Sequence, residues 1–298
     1  MYYLKFLDRD LAVNPNLKEI IVLLFKSVIL VSNNIDISKA KTDTMNLSGD
    51  TQLEMDVLAD VLIHDTLIES DLVSILASEE REDEVLLSGK EFAIVYDPLD
   101  GSSLIDANFA IGTIFGVYPG TYLLGRTPRD MVASMYAVYG PRTTVVVSWG
   151  NGVHEFILKE DGFYLNRENI QIDQESEYFA PGNLRACSSN SGYKKLVQHW
   201  IDSEYTLRYS GGMVPDVNHI FVKKSGIFAY PKSKDAPEGK LRLLYECGPM
   251  AYLVTNAGGK ASNGYSDILD LPIASLHQKT PVFLGSSSEV EKTKEFGV

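Results

Sequence analysis

The sequence contains little cysteine. Cys187 and Cys247 are the only two, and they lie far apart. This number supports neither a disulfide framework nor a cysteine-based zinc site, and a reducing compartment is the default for such a chain. Each cysteine has small or apolar neighbours, which favours a structural role for both side chains.

Long apolar runs are also missing. No stretch reaches the length of a transmembrane helix, and the start resembles neither a signal peptide nor an arginine-rich transit segment. We therefore expect a cytoplasmic protein without a membrane partner, unless a transit peptide has been removed.

Basic residues are in the minority. The chain has 27 Lys and Arg against 40 Asp and Glu, a net charge of −13. This balance disfavours binding to nucleic acid or to an anionic membrane. Part of the acidic excess could form a metal site, because clustered carboxylates need cations to coexist.

The length and composition are those of a soluble globular protein. The chain has 298 residues, of which 45% are apolar and 22% charged, enough for one large domain or two that share an interface. A polar segment at 167–183 predicts a boundary near residue 178. We therefore expect an N-terminal α+β domain at 1–178 and a C-terminal α/β domain at 179–298.

The most informative stretch runs from residue 92 to 103. Its first five residues, Phe92 to Tyr96, are apolar or aromatic and predict a strand buried on both faces. The residues that follow include Asp97, Pro98, Asp100, Gly101, Ser102 and Ser103. Proline and glycine favour a stiff turn, and the serines could cap a following helix. Carboxylates there can hold divalent cations and free N–H groups a phosphate, although a lone Asp-Pro-x-Asp-Gly also fits a surface turn.

Periodicity predicts helices and strands around this stretch. Apolar residues at three- and four-residue steps indicate helices from about 17 to 31 and 52 to 68, with a polar loop at 38–49 between them. Strands are predicted at 72–77, 111–118 and 131–139, and an antiparallel meander at 143–166.

Four further acidic residues accompany these elements. Glu79 and Glu80 come directly after the strand predicted at 72–77, but they also fit a solvated acidic run. Asp50 fits a helix N-cap and Asp56 a solvated helix position when each is taken alone.

The second half offers cations and small polar residues. The segment 185–193 leads from a short strand into a helix through residues suited to contact an anion, and Arg208 and Tyr209 precede a glycine pair. Lys240 and Arg242 alternate with leucines, which predicts that both lie on one face of a strand, with Glu246 following on that face. A charged edge strand explains this pattern equally well.

Taken together, these motifs resemble the fructose-1,6-bisphosphatase family. The resemblance runs from about residue 17 to Gly285 and rests on Gly49-Asp50, Asp56, Glu79-Glu80, the 97–103 motif and the 240–246 motif. It implies a layered α/β/α/β/α sandwich of the sugar phosphatase type, whereas periodicity alone supports only an α/β, mixed α+β, class. It also implies that the domain at 1–178 binds metal and that the domain at 179–298 binds the sugar phosphate.

The resemblance also implies a metal site. Two or three Mg²⁺ ions per subunit are expected, with Mn²⁺ as a possible substitute. Glu79, Asp97, Asp100 and Glu246 would bind one ion, Glu79 and Asp97 with the Leu99 carbonyl a second, and Asp50 with Glu79 a third. Glu80, backed by Asp56, would accept the proton of the attacking water.

The implied substrate is a sugar bisphosphate. The residues that would bind it are Gly101, Ser102, Ser103, Asn190, Tyr193, Arg208, Tyr209, Met213, Tyr230, Lys240 and Arg242. Arg208 would reach in from a neighbouring subunit, so a homodimer or homotetramer is expected.

Different parts of the sequence resemble different members of the family. The segment 208–218 and Leu104 resemble the sedoheptulose-1,7-bisphosphatases, whereas 245–252 resembles the fructose enzymes. We expect Mg²⁺-dependent hydrolysis of the 1-phosphate of sedoheptulose 1,7-bisphosphate to sedoheptulose 7-phosphate. The alternatives are a fructose-1,6-bisphosphatase, a dual-specificity enzyme and, from another class, an inactive phosphosugar sensor.

Overall fold

The computed structural model describes residues 1–11, 14–35, 41–45 and 51–298. Its helices are α1 (Tyr3–Asp10), α2 (Pro15–Ser32), α3 (Glu54–Leu67), α4 (Ser191–Asp202), α5 (Met213–Lys223), α6 (Gly248–Asn256) and α7 (Ser287–Phe296). Within these ranges, no helix has both the length and the apolar character needed to cross a bilayer.

The strands form two mixed sheets and one hairpin. They are β1 (Lys41–Met45), β2 (Thr51–Leu53), β3 (Val73–Ser78), β4 (Val85–Leu86), β5 (Phe92–Asp100), β6 (Ile111–Pro119), β7 (Ala133–Tyr139), β8 (Thr143–Ser148), β9 (His154–Lys159), β10 (Gly162–Arg167), β11 (Tyr178–Pro181), β12 (Thr206–Leu207), β13 (Ile227–Tyr230), β14 (Lys260–Ser262) and β15 (Val282–Gly285). The first sheet has the order β10-β9-β8-β7-β6-β5-β3-β4 and the second β12-β11-β13-β15-β14. In the first sheet β3 and β5 run parallel, so the residues that follow Ser78 and Tyr96 meet at one end of it.

The helices and sheets form five layers, which are held together by three apolar cores. The first packs α1, α2 and α3 on one face of the first sheet. The second lies between the opposite face of that sheet and α5, α6 and the second sheet. The third packs α4 and α7 on the outer face of the second sheet. This arrangement confirms the expected α/β/α/β/α sandwich, while the domain division at residue 178 stays a prediction.

The predicted helix at 17–31 is confirmed as α2. Asn14 precedes it, and its Oδ1 accepts a hydrogen bond from Leu17 N at 3.0 Å, with Pro15 in the first turn. An asparagine cap followed by proline is a common helix start, because the asparagine oxygen accepts from an otherwise unpaired N–H group of the first turn and proline has no N–H to leave unpaired.

The loop predicted at 38–49 is wrong for part of its length. Residues 41–45 form β1, which pairs antiparallel with β2. Because β2 occupies Thr51–Leu53, α3 begins at Glu54 rather than near residue 52. The polar composition of 41–45 concealed this strand, because its pairing partner lies further along the chain. Residues 38–40 and 46–49 lie outside the described residues.

Strand β5 confirms the central prediction and extends it. All nine of its residues are buried, and the strand runs on to Asp100 with an irregular register between Asp97 and Asp100. Gly101 follows with a φ of 80°, as its position in the turn requires. The serines do not cap the short 3₁₀ turn Ser102–Leu104, because Gly101 occupies the cap position.

The strand predicted at Lys240 and Arg242 is wrong. Arg242 forms an isolated bridge with Lys279, and the next residues form a π-helical turn, Leu243–Cys247, that leads into α6. Cys247 N donates to Arg242 O at 3.0 Å, five residues back. A short alternation of cations and leucines does not distinguish a strand from this wider turn, which places Glu246 inside a helical segment.

Candidate active site

Three carboxylates from distant parts of the sequence meet at one end of the first sheet. One oxygen atom from each of Glu79, Asp97 and Glu246 lies within 4.8 Å of the other two. Asp97 and Glu246 are buried, and Glu79 is partly exposed. The turn after β3, the strand β5 and the π-helical turn therefore supply one carboxylate each.

The backbone holds the first two of these residues in place. Glu79 N donates to Tyr96 O at 3.0 Å, which continues the parallel pairing of β3 and β5 by one residue. Asp97 Oδ1 accepts a hydrogen bond from Leu99 N at 2.9 Å, so the carboxylate folds back over the turn. Glu80 follows with its N–H 3.2 Å from Ser78 Oγ.

Asp100 is anchored to helix α5. Its Oδ2 accepts a hydrogen bond from Val214 N at 2.7 Å and its Oδ1 one from Met213 N at 3.2 Å. A carboxylate at a helix N-terminus satisfies unpaired N–H groups and is favoured by the helix dipole. The Met213 backbone, which was expected to contact the sugar, thus has its N–H engaged by Asp100 in this structure.

Arg242 contacts two carboxylates of the cluster, those of Glu246 and Glu79. Its backbone N–H donates to Glu246 Oε2 at 2.6 Å, and its Nη1 forms an ion pair with Glu79 Oε1. The Arg242 side chain is 5% exposed and that of Glu79 13%. The guanidinium therefore neutralises one carboxylate of the cluster from within the protein.

Burial and mutual repulsion raise the pKa values of the acidic residues in and beside the cluster. Burial raises the pKa of Asp97, and the nearby charges of Asp100 and Glu246 raise it further. Burial likewise raises the pKa of Asp100 to about 7, against its hydrogen bonds from α5. Burial also raises the pKa of Glu246, while the Arg242 N–H and neighbouring cations oppose the rise. Such a cluster is poorly stabilised when all its members are ionised.

A divalent cation fits this donor set. Carboxylate oxygens are the ligands that Mg²⁺ and Mn²⁺ prefer, and a bound cation would offset the cost of ionising these buried, mutually repelling acids. The oxygens of Glu79, Asp97 and Glu246 lie close enough together to share one ion.

The other expected acidic residues fall into different groups. Asp56 is buried on α3, with 4% exposure, so the solvated helix position considered for it is wrong. Glu80 is half-buried beside Glu79. Asp50 lies outside the described residues, and Leu99 is buried within the turn of β5.

The expected phosphate-binding tyrosines gather around Gly182. Tyr193 OH donates to Gly182 O at 2.9 Å, and a Cβ at Gly182 would lie 2.3 Å from Tyr230 Cδ2. Tyr209 is 48% exposed, and burial raises the pKa of its hydroxyl with Tyr230 as the next cause. Asn190 Oδ1 caps α4 by accepting from Tyr193 N at 2.9 Å.

Two of the three expected cations lie at the surface of this region, whereas Arg242 is buried in the acidic cluster. Lys240 and Arg208 are exposed, and the Arg208 guanidinium carbon lies 5.8 Å from the centre of the Tyr178 ring. Gly101 and Ser102 are half-buried, and Ser103 is exposed.

Sequence reasoning missed several residues near the site. Arg185 lies close to Tyr230, where burial raises the pKa of the tyrosine and the arginine opposes the rise. Asp60, Arg81 and Tyr96 form a connected group behind the acidic cluster. A signal for Asp60 was available, since it follows Asp56 by one helical turn and so shares its face of α3.

Comparisons with known proteins agree with this geometry. Residues 12–168 match the family model described as the fructose-1,6-bisphosphatase N-terminal domain, and residues 172–297 match the C-terminal domain of the same family. Both halves of the chain are therefore covered.

Individual relatives extend the match. The chain is 45% identical over 260 residues to a chloroplastic sedoheptulose-1,7-bisphosphatase from Spinacia oleracea, covering 85% of this chain and 67% of the relative. It is 42% identical over 297 residues to a class 1 fructose-1,6-bisphosphatase from Pelobacter propionicus, covering 97% and 90%. The crystal structure of Leishmania major fructose-1,6-bisphosphatase in its holo form superposes with a TM-score of 0.89 at 32% identity, covering 95% of this chain and 94% of that one.

The layered fold and the carboxylate site define the class as a phosphoric monoester hydrolase that acts on sugar bisphosphates. Within that class, the chain belongs to the fructose-1,6-bisphosphatase family.

Proposed function

We propose that this enzyme hydrolyses the 1-phosphate of sedoheptulose 1,7-bisphosphate and uses Mg²⁺ to do so. One contact carries the choice of sugar. A Cβ at Gly212 would lie 3.2 Å from Leu104 Cδ1, and one at Gly211 would lie 3.4 Å from Leu104 Cδ2. The two sequence features that resemble sedoheptulose-1,7-bisphosphatases are thus in contact with each other.

This contact lies next to the acidic site. Leu104 ends the short turn that follows Gly101, and Gly212 directly precedes the N–H groups that bind Asp100. A leucine there presents an apolar surface where asparagine would offer a hydrogen-bonding amide. The spinach relative supports the same choice.

Two or three Mg²⁺ ions would be held by Glu79, Asp97, Asp100, Glu246, Asp50 and the Leu99 carbonyl. Mn²⁺ suits the same oxygens. Bound cations neutralise the charge that develops on the transferring phosphoryl group. Glu80 would take the proton of the attacking water, with Asp56 behind it on α3. Gly101, Ser102 and Ser103 would meet the near phosphate through their backbone and hydroxyl groups.

The distal phosphate would be bound away from the reacting atoms. Asn190, Tyr193, Tyr209 and Tyr230 would receive it, and Lys240 and Arg242 would complete the sugar site. Anchoring one phosphate orients the other for attack, so remote binding contributes to the rate.

Fructose 1,6-bisphosphate is the second candidate, either alone or alongside the larger sugar. The Pelobacter propionicus relative, which covers 97% of the chain, favours it. The segment 245–252, which forms the end of the π-helical turn and the start of α6, also resembles the fructose enzymes.

Comparison of kcat/KM for the two bisphosphates tests the proposal. We expect the sedoheptulose substrate to be preferred, and Leu104→Asn to shift the ratio towards fructose 1,6-bisphosphate. A wild-type preference for fructose 1,6-bisphosphate would overturn the choice of sugar. Absence of phosphate release from both would point to the phosphosugar sensor instead.

We further propose a cytoplasmic homodimer or homotetramer. Arg208 is exposed beside Tyr178 and is available to a neighbouring copy. Light scattering of the purified chain gives the mass of the assembly, and a monomer would contradict the role of Arg208.

A further inference from the structure

A buried carboxylate behind the acidic cluster binds two side chains at once. Asp60 Oδ2 lies 2.8 Å from Arg81 Nε and 2.8 Å from Arg81 Nη2, and Asp60 Oδ1 accepts a hydrogen bond from Tyr96 OH at 3.0 Å. Asp60 is 6% exposed and Tyr96 is fully buried. Both oxygens of the carboxylate are therefore used inside the protein.

Each member of this group adjoins a different part of the proposed catalytic site. Asp60 follows Asp56 by four residues on α3, Arg81 directly follows Glu80, and Tyr96 directly precedes Asp97. The group thus connects three separate segments: the helix α3, the turn after β3 and the strand β5.

A fourth segment reaches the same turn. His277 Nε2 lies 3.0 Å from Arg81 O, and Lys279, two residues later, bridges to Arg242. The turn that carries Glu79 and Glu80 is consequently held through both the side chain and the carbonyl of Arg81.

We propose that Asp60, Arg81 and Tyr96 are positioning residues, which fix Asp56 and the turn that carries Glu79 and Glu80 relative to the other cation-binding carboxylates. The inference rests on the function proposed above. Partly buried carboxylates repel one another, so the turn after β3 needs an attachment that keeps its acids beside β5. Tyr96 donates its hydrogen bond to Asp60 from a fully buried position, where no solvent competes for the carboxylate.

The choice of an arginine suits this task. Its planar guanidinium offers several donors in a fixed arrangement, whereas a lysine at the same place would offer a flexible point charge. Groups that orient metal ligands without touching the metal affect affinity or activity by about 10- to 100-fold when they are removed.

Tyr96→Phe tests the proposal by removing a single oxygen atom. The full-length protein, stripped with EDTA, is titrated with Mn²⁺ by calorimetry, and kcat, KM and the melting temperature are measured on the Mg²⁺-loaded enzyme. We expect Mn²⁺ affinity and kcat to fall about 10- to 100-fold with little change in KM. Tyr205→Phe is the matched control, because Tyr205 OH donates to another carboxylate, Glu289, at 2.8 Å; it is expected to leave Mn²⁺ affinity unchanged.

Substitutions at Arg81 provide a second test of the proposal. Arg81→Ala is expected to reproduce the losses, and Arg81→Lys to restore part of the Mn²⁺ affinity. Variants that melt at a lower temperature but keep wild-type Mn²⁺ affinity and kcat would overturn the proposal in favour of a purely structural role.

The two proposals fail separately. If the wild type binds Mn²⁺ but hydrolyses neither bisphosphate, the proposed function falls, and weaker Mn²⁺ binding by Tyr96→Phe still supports the positioning role. If the wild type is active and Tyr96→Phe matches it in both readouts, only the positioning role falls.

Discussion

Arg242 and Glu79 form an ion pair between the two halves of the chain. Arg242 lies just before the π-helical turn, and Glu79 lies just after β3. The guanidinium thereby places a positive charge within the acidic cluster. A bound cation would compete for the same carboxylate, so the pair should matter most when no divalent ion is present.

Replacing Arg242 by Met should therefore destabilise the protein mainly in EDTA. Breaking a buried ion pair by removing one partner costs about 3–5 kcal/mol, because the remaining charge is left buried. Urea unfolding in EDTA and in saturating Mg²⁺ measures the difference. An equal loss under both conditions would show that Arg242 does not take the place of a cation.

Divalent ions should stabilise the folded chain directly. A ligand that binds only the native state raises the unfolding free energy, by about 2.7 kcal/mol at a concentration 100 times its dissociation constant. We expect Mg²⁺ to raise the melting temperature of the EDTA-treated protein and to have a much smaller effect on Glu246→Gln. As a control, Glu291→Gln removes a carboxylate that pairs only at the surface with Lys260, and its response to Mg²⁺ should equal that of the wild type.

Arg208→Ala should raise KM for the bisphosphate. A charge-assisted hydrogen bond contributes about 1.5–3 kcal/mol, which corresponds to a rise of about tenfold or more. Arg9→Ala, which removes an exposed arginine paired with Glu168, should leave KM unchanged.

A mixing experiment shows whether Arg208 acts on the neighbouring subunit. Subunits with Glu80→Gln are reassembled with Arg208→Ala subunits, so that each intact Glu80 faces an intact Arg208 only across the interface. Recovery of the wild-type KM indicates action between subunits, whereas the raised KM of Arg208→Ala alone would place Arg208 in its own site.

Asp216 should make the stability dependent on pH. Burial raises the pKa of Asp216 from 3.8 to about 6, although Ser210 and Gly211 donate to it. The folded state therefore retains this proton to a higher pH than the unfolded state. Its contribution is complete below pH 3.8 and is lost as the pH rises to about 6.

Asp216→Asn removes that titration. Between pH 4 and pH 6.5, about the interval that separates the two pKa values, the unfolding free energy of the wild type should fall relative to that of the variant. Chemical denaturation at several pH values measures the difference. A constant difference across the interval would contradict the raised pKa.

Much of the fold was readable from local patterns. The apolar run of β5 with its turn, the helical period of α2 and the meander β8–β10 all depend on neighbours in sequence, and the structure confirms them. The convergence of Glu79 and Asp97 also follows from local signals, because parallel strands end at the same edge of a sheet.

Other features depend on contacts that no local pattern contains. The two carboxylate oxygens of Asp100 bind the start of α5, more than a hundred residues later. The π-helical turn after Arg242 places Glu246 beside Asp97, whereas the alternation of Lys240 to Leu243 suggested a strand. Family resemblance, rather than periodicity, supplied the layered fold.

The shortness of β4 has a consequence for how copies of this chain can associate. At this border of the first sheet β4 consists of two residues, Val85 and Leu86, which pair with β3, and Leu86 is 71% exposed. The acidic residues 82–84 come directly before it. An edge strand this short, flanked by acidic residues that repel one another, offers few backbone groups with which a strand of another chain could pair. Continuation of the sheet from one copy to the next is therefore disfavoured at this margin, which also protects the margin against fibre-like stacking.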